Sequence, residues 1–379
     1  MSLANLLDRH RVLVCVGSGG VGKTTVSAAL ALAAAQRGKR TLCLTIDPAR
    51  RLANSLGLDR MPTEQVAVSN AWLREHGVDL TGSLTVMMLD TKHTFDELVH
   101  RHAPTPEVRR RILDNRLYRY VSTNLAGTQS YMAMEKVLMV EQDASYDTIV
   151  LDTPPMQHAL DFFEAPERMV EAIDSPALRG LVQAVQTSGR FSLNLVAKSI
   201  GAVLRTIGRI TGGDLLEQMA EFVSSMNTLF GGFHDRAELV SKEMRSPRFG
   251  YIVVSSPEKL TLSEAEQLDD RMRERGMRTS ALVINRVHPV AESLPSLEEV
   301  ELLLEERGLD LGEQGAPRVL RAAREESELG AHDAAAIDAI SVGLGRRIPL
   351  QVRVPAFAVD VHHPERLKQV ADHLCGELG

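Results

Sequence analysis

Gly17-Ser18-Gly19-Gly20-Val21-Gly22-Lys23-Thr24-Thr25 satisfies the phosphate-binding pattern G-x-x-x-x-G-K-[ST], and its flanks decide the fold. Before it, Val12-Leu13-Val14-Cys15-Val16 reads as a short buried strand. After it, Val26-Ser27-Ala28-Ala29-Leu30-Ala31-Leu32-Ala33 reads as the helix leaving the loop. Glycines let backbone N–H groups turn inward around a phosphate, and the helix N-terminus adds partial positive charge. In this setting Lys23 bridges the β- and γ-phosphates and the Thr24 hydroxyl binds Mg²⁺. At average residue usage the four fixed positions recur by accident in about one chain in a hundred of this length. The strand–loop–helix setting makes accident rarer still, so the chain is expected to bind a nucleotide.

Outward from the loop, apolar runs rich in Val, Ile and Leu recur at 11–16, 41–46, 84–89, 147–152, 249–255, 280–285 and 349–354. Helical patterns separate them, which predicts an α/β fold with a mainly parallel sheet covered on both faces. Two gaps exceed a simple crossover. Segments 93–145 and 156–246 are helix-periodic and are expected to form one helical subdomain within a single domain spanning 1–379. Residues 290–345 form a third irregular region, helical and acidic, with Glu298, Glu299, Glu301, Glu305 and Glu306 close together. That region reads either as a solvated insertion or as an acidic docking surface.

Composition narrows the class. The 379 residues are 44% hydrophobic and 25% charged, as in ordinary globular proteins, and carry a formal net charge of −7. That balance argues against a polyanion-binding surface, so nucleic acid is not an expected partner, despite Arg109-Arg110-Arg111, Arg116 and Arg119. The three cysteines form no C-x-x-C pair, and Cys15 and Cys43 fall in predicted strands, as in a reducing compartment. The first ten residues lack the order of a signal peptide, and no uncharged apolar stretch approaches the ~20 residues needed to cross a bilayer. A cytoplasmic protein without a transmembrane segment is expected.

Hydrolysis needs a residue that orients water and a carboxylate that supports the metal. Thr45-Ile46-Asp47-Pro48-Ala49-Arg50-Arg51 follows the second strand, and Asp47 at its end either polarises the attacking water or caps the following helix. Val150-Leu151-Asp152-Thr153-Pro154-Pro155 is an apolar strand ending in Asp. Asp152 there either reaches the Mg²⁺ shell through water or simply begins a turn. The two prolines force an extended exit, suited to a loop that senses the γ-phosphate.

Together these motifs resemble the ArsA family of ATPases, which contains the arsenite-pump ATPase and the eukaryotic ATPase that targets tail-anchored membrane proteins. Gly17–Thr25 resembles the family's phosphate loop, a deviant Walker A of the SIMIBI class of P-loop NTPases with their doubly wound sheet. Asp47-Pro48-Ala49 resembles its first switch, and Asp152-Thr153-Pro154-Pro155-Met156-Gln157-His158 its second. Val254-Ser255-Ser256-Pro257-Glu258, Val283-Ile284-Asn285-Arg286 and Ala126-Gly127-Thr128-Gln129-Ser130-Tyr131-Met132-Ala133-Met134-Glu135 match further signatures. The resemblance implies that Asp47 activates water, Thr24 ligates Mg²⁺ and Asp152 supports the ion. It implies that Asn285 bonds the adenine of ATP or ADP and that the loop around Pro355 closes over the ring. It also implies a face-to-face dimer that closes on ATP.

The chain departs from the family at two places. Ser18 stands where most members carry a lysine that reaches the partner's phosphates, so slow hydrolysis, or dependence on a partner with its own cation, is expected. After Asn285 the chain reads Arg286-Val287-His288-Pro289, without the family's zinc-binding thiols. A client is the remaining question. The targeting members hold a transmembrane helix in a methionine-containing groove, and Met132, Met134, Met139, Met169, Met219, Met226 and Met244 lie in the helical segments here. The segments Leu178–Leu204 and Leu215–Phe233 are apolar enough to line a groove or to be core. The leading reading is a Mg²⁺-dependent dimeric ATPase coupled to a hydrophobic client. The alternatives are a weakly or non-hydrolysing regulatory subunit paired with a paralogous ATPase, and a partition-type, DNA-associated ATPase.

Overall fold

The computed structural model describes residues 2–46, 50–116, 118–119, 122, 128–142, 144–154, 163–168, 170–171, 234–291, 293–341, 343–348, 350–361 and 363–376. The chain divides into two compact units. The first comprises Met1–Val86, Asp147–Gln157 and Gly250–Gly379, and the second comprises Met87–Tyr146 and His158–Phe249.

An eight-stranded sheet organises the first unit. Its strands are β1 (Val12–Gly17), β2 (Arg40–Thr45), β3 (Val66–Ala67), β4 (Ser83–Met88), β5 (Thr148–Asp152), β6 (Phe249–Ser255), β7 (Thr279–Val287) and β8 (Gln351–Pro355). They lie in the order β3-β4-β2-β5-β1-β6-β7-β8. The pairs β1–β5, β2–β5, β6–β7 and β7–β8 are parallel. Every residue of β1, β5 and β6 is buried, the expected signature of central parallel strands covered on both faces. The seven strands expected from the sequence are all present, with ends shifted by at most two residues. The eighth, β3, is antiparallel to β4 and only two residues long. Both of its residues are exposed, so it had no apolar pattern by which to be read.

Twelve helices accompany the strands among the described residues. They are α1 (Leu3–Arg9), α2 (Lys23–Gln36), α3 (Arg50–Ser55), α4 (Asn70–Glu75), α5 (Thr91–His102), α6 (Pro106–Asp114), α7 (Thr128–Gln142), α8 (Lys259–Glu274), α9 (Leu297–Glu306), α10 (Gly315–Ser341), α11 (Leu344–Arg347) and α12 (Pro364–Cys375). The alanine-rich α2 is buried around nearly its whole circumference, packed on β1, β2 and β5 and covered by α12. A helix apolar on all sides has to be enclosed in this way. Small side chains let it approach the sheet, which holds the phosphate loop against the strand ends. No described helix is long and apolar enough to cross a membrane.

The described residues of the second unit are mainly helical. Thr105 caps α6 by accepting the Val108 N–H, and Pro106 follows at the first helical position, which breaks the periodic stretch after α5. Within α7, Glu135 is fully buried and is bonded by Tyr131 Oη at 2.5 Å and Arg236 Nε at 2.9 Å. Met132, Met134, Met139 and Met244 are buried in this unit and act as packing residues. Met169, Met219, Met226 and the segments Leu178–Leu204 and Leu215–Phe233 lie outside the described residues.

Candidate nucleotide site

Strand register brings the site together. In the β2–β5–β1 ladder Thr45 and Cys15 both stand opposite Asp152, at the carboxyl ends of the strands. Ligands of open parallel sheets collect at that end. Thr24 Oγ1 donates to Asp152 Oδ2 at 2.7 Å, and Thr45 Oγ1 donates to the same oxygen at 3.1 Å. Thr153 Oγ1 donates to the Cys15 carbonyl at 2.8 Å, pinning the exit of β5 to β1. Asp152 is thus held by the first turn of α2 and the end of β2, and it is 2% exposed. Clustered hydroxyl and carboxylate oxygens are the hard ligands that suit Mg²⁺.

The loop itself leaves no room for substitution at its ends. A Cβ at Gly17 would lie 2.0 Å from the Val254 carbonyl oxygen of β6. Gly22 has φ +93°, and a Cβ there would lie 2.2 Å from Asn285 Nδ2. Gly22 is also the N-cap of α2 and offers no capping side chain, so the helix N-terminus suits an anion. Lys23 Nζ donates to the Ser18 carbonyl at 2.7 Å, folding the lysine back along the loop. Ser18 is buried, and its Oγ donates to the carboxylate of Glu264 on α8. Gly19 and Gly20 form the turn at the loop's crest, Val21 is buried beneath it, and Thr25 continues α2.

Asn285 lies next to this loop although 264 residues separate it from Val21. Its Nδ2 donates to the Val21 carbonyl at 2.9 Å, which makes the amide a brace under Gly22. A local irregularity in β7 accompanies this: Arg286 has φ 63°, and the β7–β8 register shifts between Ile284 and Val287. Pro355 ends β8 opposite Val287, at the same end of the sheet. Asp47, Pro48 and Ala49 lie outside the described residues, as do Pro155–His158 of the second switch-like motif.

Four contacts have no local signal in the sequence. Thr45 precedes Asp47 in an apolar strand, and its hydroxyl joins Asp152. Thr153 follows Asp152 and ties the exit of β5 to β1. Glu264 carries no local signal, being one of several glutamates along α8. His288, just past the end of β7, has its Nδ1 2.8 Å from Asp333 Oδ2 on α10, which attaches the strand's exit to the helix.

The cysteines stand apart from this chemistry. Burial pushes the Cys15 thiol up to about 12 and the Cys43 thiol higher still, with the Asp152 carboxylate adding to both. They are core residues.

Comparison with known proteins agrees with this geometry. The sequence model of the ArsA ATPase family, described as anion-transporting ATPase, matches residues 10–300. A protein of Aquifex aeolicus (strain VF5), named as an arsenical pump-driving ATPase 2, is 26% identical over 302 residues, covering 77% of this chain and 86% of that protein. The ATPase get3 of Aspergillus terreus is 25% identical over 272 residues, covering 72% and 71%. The ATPase get3 of Pyrenophora tritici-repentis is 25% identical over 294 residues, covering 76% and 77%. With the matched region spanning the phosphate loop, both switch-like motifs and the β7 signature, the chain belongs to the ArsA/Get3 family of anion-transporting ATPases.

Proposed function

We propose that the chain binds ATP with Mg²⁺ at Gly17–Thr25, hydrolyses it slowly to ADP and phosphate, and uses the nucleotide state to hold and release a hydrophobic client in the cytoplasm. The observation that carries this reading is the convergence of Lys23, Thr24, Thr45 and Asp152 at one end of the sheet. Thr24 would offer its hydroxyl oxygen to Mg²⁺ and Asp152 would support the ion. When bound, Mg²⁺ offsets charge building on the transferring phosphoryl group. Lys23 turns from the Ser18 carbonyl to the β- and γ-phosphates, Asp47 orients the attacking water, and Asn285 and Pro355 border the base. The ring amide contact and the Val21 brace can coexist, because Asn285 has an acceptor oxygen besides its donor nitrogen.

Dimerisation, as a homodimer or with a paralogous ATPase, completes this reading, with the helical second unit as client carrier. The apolar segments Leu178–Leu204 and Leu215–Phe233 are the candidates for the client surface by sequence, since Met132, Met134, Met139 and Met244 are core. The contact of Ser18 with Glu264 favours a second reading. A serine bonded to a carboxylate gives the loop no trans-acting cation, as expected of a regulatory subunit that needs an active partner. Calorimetric titration of ATP tests the site. Asp152→Asn should weaken Mg²⁺–ATP binding at least tenfold while leaving binding of metal-free ADP within about twofold. Equal losses for both nucleotides would count against a metal-supporting Asp152.

A further inference from the structure

Helix α9 carries two apolar stripes where a solvated helix needs one. Val300 is buried and Leu304 half-buried, the side laid against α10. Leu302 and Leu303 turn the other way and are 58% and 48% exposed. They belong to the row Glu299, Leu302, Leu303, Glu306, which has the i, i+3, i+4, i+7 spacing of one helix face. With Ser293 and Pro295 this row lines an open groove of ≈ 420 Å³. The surroundings are equally unusual. Nine of the twelve exposed large hydrophobics among the described residues fall between 290 and 329, Leu309 and Leu311 at 53% and 52% exposure among them. Scattered single leucines need no explanation, but Leu302 and Leu303 lie side by side in one groove, within a stretch of chain that holds most of the exposed large hydrophobics.

Charge selects the occupant. Between residues 290 and 313 the sequence has eight carboxylates and one cation, Arg307. Glu298, Glu301, Glu305 and Glu306 are exposed, and no ion pair joins any of them to a described cation. The helix is nonetheless well built: Ser296 and Glu299 form a reciprocal capping box at its start. A second copy of this rim would meet it with like charge, and an anionic lipid surface would be repelled in the same way.

We propose that the α9 groove docks an amphipathic helix of a partner protein, with leucine-type residues over Leu302 and Leu303 and lysines or arginines against the glutamate rim. Of the groove's lining, Leu302, Leu303 and Glu306 lie beyond residues 10–300, the part of the chain matched by the family's sequence model. It involves none of the nucleotide-site residues and stands or falls independently of them.

The probe is a labelled synthetic peptide of about 18 residues, five helical turns. It carries leucine at i, i+3, i+4 and i+7, with lysine and arginine on both flanks. The full chain should bind it saturably, and should not bind a counterpart with glutamate in place of the basic residues. Leu302→Ser/Leu303→Ser and, separately, Glu305→Lys/Glu306→Lys should each weaken binding about tenfold. Helicity and ATP turnover should stay unchanged in both variants. The proposal is overturned by a lack of saturable binding at millimolar peptide, or by equal affinity in either variant, which would seat the peptide elsewhere. It is also overturned if Leu302→Ser/Leu303→Ser abolishes binding to phosphatidylserine vesicles, or turns a self-associated wild type into monomers.

Discussion

At the residue scale, Gly22 and Asn285 constrain each other more tightly than the loop pattern alone requires. The loop needs glycine for a left-handed backbone, and the amide of Asn285 occupies the space that any side chain would take. Gly22→Ala should therefore cost more than the ~1–2 kcal/mol of a left-handed alanine. The overlap pushes Asn285 off the Val21 carbonyl, and denaturant unfolding should report the combined loss. A midpoint unchanged from wild type would mean that the brace carries no weight. Gly22 was legible because four fixed positions within nine residues define its pattern. Asn285 was legible as a motif member, but its grip on Val21 was not, since nothing local links residues 21 and 285. Glu264 was illegible for a different reason: a surface-type glutamate on an amphipathic helix gives no sign that its carboxylate meets a buried serine.

At the element scale, the pairing of β2 with β5 sets the site, because a slip of one residue would turn Thr45 away from Asp152. The other end of that pair is pinned by Asp147. Its carboxylate accepts from the backbone N–H of Arg40 at 2.9 Å, from Nε at 3.1 Å and from the terminal guanidinium nitrogen at 2.7 Å. The guanidinium bond, then the backbone bond, lower its carboxyl from 3.8 to about 2. A group depressed on folding contributes stability that is present above its unfolded value of 3.8 and is lost as pH falls through about 2. Both side chains are about half exposed, so solvent screening reduces the gain to ~0.2–1 kcal/mol. Asp147→Asn should be less stable than wild type by that amount at neutral pH, and the two should converge between pH 4 and 2. A gap that persists unchanged below pH 2 would rule out the ion pair as its source. The strands themselves were readable because buried parallel strands are continuous apolar runs. The two-residue, exposed β3 has no such run.

At the scale of the whole molecule, the nucleotide unit was legible from its alternating strands and helices, and the helical unit from two gaps too long for crossovers. The role of the helical unit was not legible in the same way. An apolar helical stripe has the same pattern whether it is core or groove, and burial distinguishes the two only for Met132, Met134, Met139 and Met244. The acidic stretch at 290–345 was likewise open between a solvated insertion and a docking surface, because the sequence does not tell which leucines of α9 are exposed and which face α10. The central claim concerns the phosphate loop, and ATP turnover by the purified full chain tests it most directly, read with and without Mg²⁺ beside Lys23→Ala and Asp47→Asn. The account predicts slow Mg²⁺-dependent phosphate release, binding and turnover both lost in Lys23→Ala, and binding retained without turnover in Asp47→Asn. Turnover that survives Lys23→Ala, or ATP binding indifferent to that change, would contradict it.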